Sequence, residues 1–131
     1  MAVTAQCTIN KDKKEVEFIG RGIHHCTHDA LGKKDLFWIK NEILPHIDKY
    51  IINAKIKGRK NSDVSHNVNK ETVKLKKNTD YFYYLEIAFP NGKNCCLHIG
   101  HYKNNYHVQE KAGKYYIYSI TTYIPKNIES I

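Results

Sequence analysis

The stretch Tyr81-Phe82-Tyr83-Tyr84-Leu85-Glu86-Ile87-Ala88-Phe89 runs into Pro90-Asn91-Gly92 and then into Cys95-Cys96-Leu97-His98-Ile99-Gly100. In the first arm Tyr81, Tyr83, Leu85, Ile87 and Phe89 alternate with Phe82, Tyr84, Glu86 and Ala88. In the second, Cys95, Leu97 and Ile99 alternate with Cys96, His98 and Gly100. A period of two marks strands, and Asn-Gly between two such runs marks a hairpin. A two-residue loop would set Leu97 against Glu86. A three-residue loop, Pro90-Asn91-Gly92, sets Leu97 against Leu85 and Ile99 against Tyr83, keeping the apolar faces together. Gly92 then takes the left-handed conformation such loops require.

Downstream, the pattern predicts a strand over 106–110, a turn at Lys111-Ala112-Gly113 and a last strand over 115–124. Upstream, Leu36, Ile39, Ile43, Ile47, Tyr50, Ile51 and Ala54 recur at three- and four-residue steps, the stripe of an amphipathic helix. Pro45 removes an amide donor inside that stripe, so it splits into helices over 35–43 and 45–54. The N-terminus predicts short strands over 3–9 and 15–19, with 11–14 as their turn. Residues 55–77 are polar and carry most of the excess charge: Lys55, Lys57, Arg59, Lys60, Lys70, Lys74, Lys76 and Lys77 against Asp63 and Glu71. They read as a long exposed loop ending in a strand near 72–75. The expected fold is a single α+β domain over 1–131, with N-terminal helices packed on one face of a twisted antiparallel β-sheet.

Composition narrows the function. Lysine plus arginine number 21 against 13 acids in 131 residues, a net charge of +8. At 41% hydrophobic the chain is too apolar for a disordered tail. No run approaches the roughly 20 apolar residues of a membrane span. The positive field draws polyanions, nucleic acid first among them. Cys7, Cys26, Cys95 and Cys96 form no CxxC pair and read as free thiols in a reducing compartment. No glycine-rich phosphate loop or nucleophile elbow is present.

Three groups of residues carry candidate chemistry. Arg21-x-x-His24-His25-x-x-His28 offers imidazoles for proton transfer and a guanidinium fork for phosphate; a solvated loop is the plain alternative. His24, Cys26 and His28 have zinc-like spacing, but HExxH and paired cysteines are absent, so no metal or other cofactor is expected. Ser119-Ile120-Thr121-Thr122-Tyr123 offers hydroxyls for a phosphate, although threonine and tyrosine are ordinary strand residues. Lys33, Arg59, Lys60 and His66, with Arg21 and His28, are the candidate backbone grips. His98 and His101 fall on opposite faces of the sheet and read as partly buried, hydrogen-bonded structural histidines.

The layout of a histidine-bearing segment, then Leu44-Pro45-His46-Ile47-Asp48-Lys49-Tyr50-Ile51-Ile52-Asn53-Ala54, the Asn91-Gly92 hairpin and the terminal Tyr118–Tyr123 run resembles the barnase/EndoU/colicin/RelE-like ribonuclease superfamily, in its phage and contact-dependent toxin branches. The resemblance implies a metal-independent ribonuclease toxin that cleaves RNA, often transfer RNA, by 2′-hydroxyl attack. It places the upstream histidine role on His24 or His25 and the hydroxyl role on Thr121 or Thr122, beside Tyr123. It further implies an acidic cognate immunity protein and action in the cytoplasm of a target cell after delivery within a larger secreted protein. The alternative is a basic nucleic-acid-binding or phage-encoded inhibitor protein that cleaves nothing.

Overall fold

The computed structural model describes residues 3–9, 12–18, 44–64, 69–88 and 92–130. Its framework is a six-stranded sheet. In chain order the strands are β1 (Val3–Ile9), β2 (Asp12–Phe18), β3 (Lys55–Asn61), β4 (Thr79–Ala88), β5 (Asn94–Tyr102) and β6 (Tyr115–Thr121). They lie side by side as β1-β2-β6-β5-β4-β3. Two short helices are described, α1 (Ile47–Ile51), entered through a 3-10 turn at Leu44–His46, and α2 (Lys70–Lys77).

The central hairpin has the expected register: Leu85 faces Leu97 and Tyr83 faces Ile99. Gly92 has φ 81°, and Gly113, in the turn before β6, has φ 72°. Strand order and direction depart from the expectation. The sheet is mixed, because β2 runs parallel to β6 through Val16 and Tyr115. A helix-packed antiparallel α+β arrangement is therefore corrected to a curled, strand-dominated mixed sheet. Its end strands β1 and β3 come into contact, and α1 packs on β1.

Local readings shift for identifiable reasons. Residues 55–61 form an edge strand where a loop was expected. Lysines on an end strand hide the apolar alternation while discouraging pairing with other chains. Residues 72–75 belong to α2, not to a strand: the Asn69 side chain accepts hydrogen bonds from Glu71 N at 2.9 Å and Thr72 N at 3.2 Å, a standard N-cap. Residues 106–110 form turns, with Tyr106 packed on Tyr102. The β1–β2 turn is tighter than expected, since Ile9 already pairs with Asp12. The predicted helix over 35–43 lies outside the described residues.

The curl divides the molecule into an inner and an outer face. Inside, Cys7, Ile9, Val16, Leu85, Ile87, Leu97, Ile99, Ile117 and Ile120 form the main core, closed by Ile47 and Ile51 of α1. Outside, Phe82, Tyr84, Cys96, Tyr102 and Tyr116 form a second cluster under Leu75 of α2 and Ile128 of the C-terminal tail. Cys7, Cys95 and Cys96 are buried and in no disulfide. No helix among the described residues is long and apolar enough to cross a membrane.

Candidate functional site

Of the residues singled out from the sequence, Arg21, His24, His25, His28, Lys33 and His66 lie outside the described residues. Arg59 and Lys60 stand on β3. Arg59 is committed to the tail: its N donates to Glu129 O at 2.9 Å, its side chain reaches Glu129 Oε2 at 3.8 Å, and its guanidinium lies 4.9 Å from the centre of the Tyr81 ring. Lys60 is exposed.

Thr121 ends β6 opposite Cys96, on the outer face. Its hydroxyl donates to the Tyr123 carbonyl at 2.6 Å, and His98 Nε2 lies 3.0 Å from Thr121 Oγ1. A hydroxyl has one proton, so Thr121 Oγ1 accepts from His98 Nε2–H. The Tyr84 ring meets His98 edge-on at 4.9 Å, and burial pushes its phenol up to about 12. Thr122 and Tyr123 follow, exposed. The terminal-strand hydroxyl thus does meet an imidazole, that of His98, in a network that holds the end of β6 to β5 and β4.

The inner face carries a second constellation. His101 shares the inward parity of Leu97 and Ile99 and is 8% exposed. Asp80, by parity with Phe82 and Tyr84, belongs outside. The β4–β5 register shifts between Thr79 and Tyr81, leaving Asp80 as the extra residue of a β-bulge. Bulges re-aim side chains, and they recur beside active sites. Here the carboxylate turns to His101: Nδ1 lies 2.7 Å from Asp80 Oδ1. An ionised carboxylate only accepts, so Nδ1–H donates and Nε2 is left as the proton-transfer atom. Tyr81 N also donates to Oδ1 at 2.8 Å. The Tyr81 ring stacks on the imidazole with centroids 5.7 Å apart, and Tyr115 lies at 4.8 Å on a tilted plane. Carboxylate and two rings together fix the imidazole plane.

This dyad borders an open cavity of about 540 Å³ lined by Lys14, Glu15, Glu17, His101, Gly113, Lys114 and Tyr115. β2 and β6 pair only over Val16–Phe18 and Tyr115–Ile117, so earlier residues of β2 border the opening. The cavity combines two ammonium groups, two carboxylates and an oriented imidazole, the groups a phosphodiester cleavage needs. Burial pushes the Tyr115 phenol up to about 12, with Tyr83 and Asp80 adding to the shift, so at neutral pH it stays an uncharged hydroxyl, able to donate or accept a hydrogen bond. Among the described residues no three histidines, cysteines, aspartates or glutamates converge as metal ligands.

The sequence offered no signal for this site beyond the inward parity of His101. Asp80 sits on the wrong parity until the bulge is known, and Lys14, Glu15 and Glu17 lie far along the chain from His101 and Lys114. Comparisons with protein-family models, curated proteins and solved structures found no match to this chain.

Proposed function

We propose that the chain is a ribonuclease whose proton chemistry runs at the His101–Asp80 cavity. The observation that carries the reading is the bulge that turns Asp80 inward to orient His101 at the rim of a lysine- and glutamate-lined opening. Lys14 and Lys114 neutralise the phosphate, as ammonium groups do at point-charge sites. Glu15 or Glu17 takes the proton of the 2′-hydroxyl as its oxygen attacks phosphorus. His101 Nε2–H protonates the departing 5′-oxygen, and a 2′,3′-cyclic phosphate is left. Asp80 Oδ1 holds Nδ1 at 2.7 Å and so keeps Nε2 turned to the opening. The overall charge of +8 supports the choice of a polyanionic substrate.

The test is incubation of purified protein with total RNA in EDTA, followed by analysis for cyclic-phosphate ends. General acid–base catalysis contributes about 10²–10⁴-fold, so His101→Ala is expected to slow cleavage by at least about 100-fold. Intact RNA at high protein concentration, or a His101→Ala variant as active as wild type, rejects the reading.

A further inference from the structure

We infer that α2 carries a phosphate-binding stripe for a polynucleotide backbone, made by Lys70, Lys74 and Lys77. These residues stand at i, i+4 and i+7 and so share one helix face. With Val73 and Asn78 they line an open cavity of about 450 Å³. Among the described residues no carboxylate forms an ion pair with any of the three.

Helix electrostatics account for only part of this arrangement. Lys74 and Lys77 lie in the last turn, where the helix dipole favours cations. Lys70 is the first residue of the helix, where the dipole disfavours them. Like charges at i, i+4 also cost about 0.2–0.5 kcal/mol per pair in an isolated helix. A positive stripe whose Lys70 opposes the helix dipole, with Glu71 the one acid of the helix and no ion pair to the three lysines among the described residues, is a surface suited to an external anion. The stripe lies on the same end of the sheet as His101: Lys103 N, two residues past His101, donates to Asn78 O, directly after α2. The C-terminal end of α2, on the outer face, thus abuts the strand end that carries His101 on the inner one. The inference takes its ligand class from that reading, but its test does not depend on cleavage.

The probe is a short fluorescein-labelled 2′-O-methyl oligonucleotide, which has no free 2′-hydroxyl to attack. One arm uses it single-stranded, the other annealed to its complement. Anisotropy titrations across a salt series give the slope of log affinity against log salt. Each lost phosphate contact lowers that slope by about 0.7 for a single strand and about 0.9 for a duplex. The Lys70→Gln/Lys74→Gln/Lys77→Gln protein should lose about 2 units of slope in the single-strand arm or nearly 3 in the duplex arm. At ~0.1 M salt the single-strand figure is a loss on the order of 100-fold in affinity. Lys49→Gln/Lys93→Gln/Lys126→Gln removes equal charge from other exposed positions and should lose much less. Glutamine matches lysine in helix propensity, so α2 should persist. Lys70→Gln alone relieves the dipole clash and should cost about 0.7 of slope without weakening the fold. Equal losses in the two triple variants, an unchanged slope in Lys70→Gln, or no binding by wild type at low salt in either arm overturns the inference. Binding without cleavage rejects only the ribonuclease reading.

Discussion

Gly100 stands directly before His101 and is the position where one added carbon should cost most. A Cβ there would fall within 2.5 Å of Cζ, Cε1 and Oη of Tyr116. The ring has nowhere to go. Tyr116 is fully buried, its hydroxyl is bonded to Thr79 Oγ1 at 2.7 Å, and its ring lies 4.5 Å from that of Tyr102 and 6.4 Å from that of Phe82. Gly100→Ala must therefore displace β5 or push Tyr116 off Thr79. Overpacking a core costs about 1–3 kcal/mol. Losing the buried hydrogen bond adds about 1 kcal/mol. The alanine recovers about 0.4–1 kcal/mol by restricting the unfolded chain. The net expectation is a loss of roughly 1.5–3 kcal/mol, or about 5–12 °C in Tm for a domain of this size. Urea unfolding followed by circular dichroism reads it directly, with midpoint falling and slope unchanged. In a Tyr116→Leu background the added methyl finds room, and its cost should drop below about 1 kcal/mol. A Gly100→Ala protein within ~0.5 kcal/mol of wild type, where ordinary surface changes fall, would refute the packing argument.

Asp80→Asn keeps the shape of the carboxylate but replaces the anionic acceptor that orients the His101 ring. It should lower kcat on RNA by about 10-fold or more while KM changes little, and unchanged kcat would detach Asp80 from the chemistry. Thr121→Val breaks the bonds to His98 and the Tyr123 carbonyl and should cost about 1–2 kcal/mol in denaturant unfolding. It should leave cleavage near wild type, and a catalytic collapse with stability intact would move the site to the outer face. Burial pushes the thiols of Cys7 and Cys96 up to about 12 from 9.0, and the phenols of Tyr84 and Tyr115 up to about 12 from 10.0. Each folded-state value is raised, so this stability is fully present below the unfolded-state values and lost as pH climbs from about 9 through 12. Unfolding free energy should fall steeply across that window, and a flat profile would contradict the burial. For the same reason iodoacetamide at pH 8 should leave Cys7 and Cys96 unmodified until urea unfolds the chain.

What the sequence made legible follows the reach of each interaction. The β4–β5 hairpin was readable because its two signals, alternation and Asn91-Gly92, lie within a few residues of each other. The register of Leu85 on Leu97 followed from them. Ile47, Ile51 and Ala54 were readable as a buried stripe for the same reason. β3 was not, because an edge strand bearing Lys55, Lys57 and Lys60 has the polarity of a loop, and only pairing with β4 makes it a strand. α2 carried local cues in Asn69 and Glu71, outweighed by the β-favouring Thr72 and Val73. The parallel contact of β2 with β6 joins residues about a hundred positions apart, and nothing local encodes it.

The site illustrates the same division more sharply. Parity alone puts His101 inside and Asp80 outside, which argues against their meeting. One extra residue in β4 reverses that, and the reversal has a cost, since a bulge leaves ladder groups unpaired. Part of that cost is met locally: Asp80 O accepts from Ser62 N at 3.0 Å, and Tyr81 N is satisfied by the Asp80 carboxylate itself. A hairpin that needed only to pack could keep regular pairing through Asp80 and leave His101 to a water or a tyrosine. The distortion instead delivers a carboxylate to one nitrogen of an imidazole at the rim of a cavity. Deleting Asp80 should therefore restore a continuous β4–β5 ladder with hydrogen exchange at Tyr81 and His101 as slow as wild type or slower, while abolishing cleavage. If deletion instead unfolds the chain and Asp80→Asn keeps full activity, the bulge serves the fold alone.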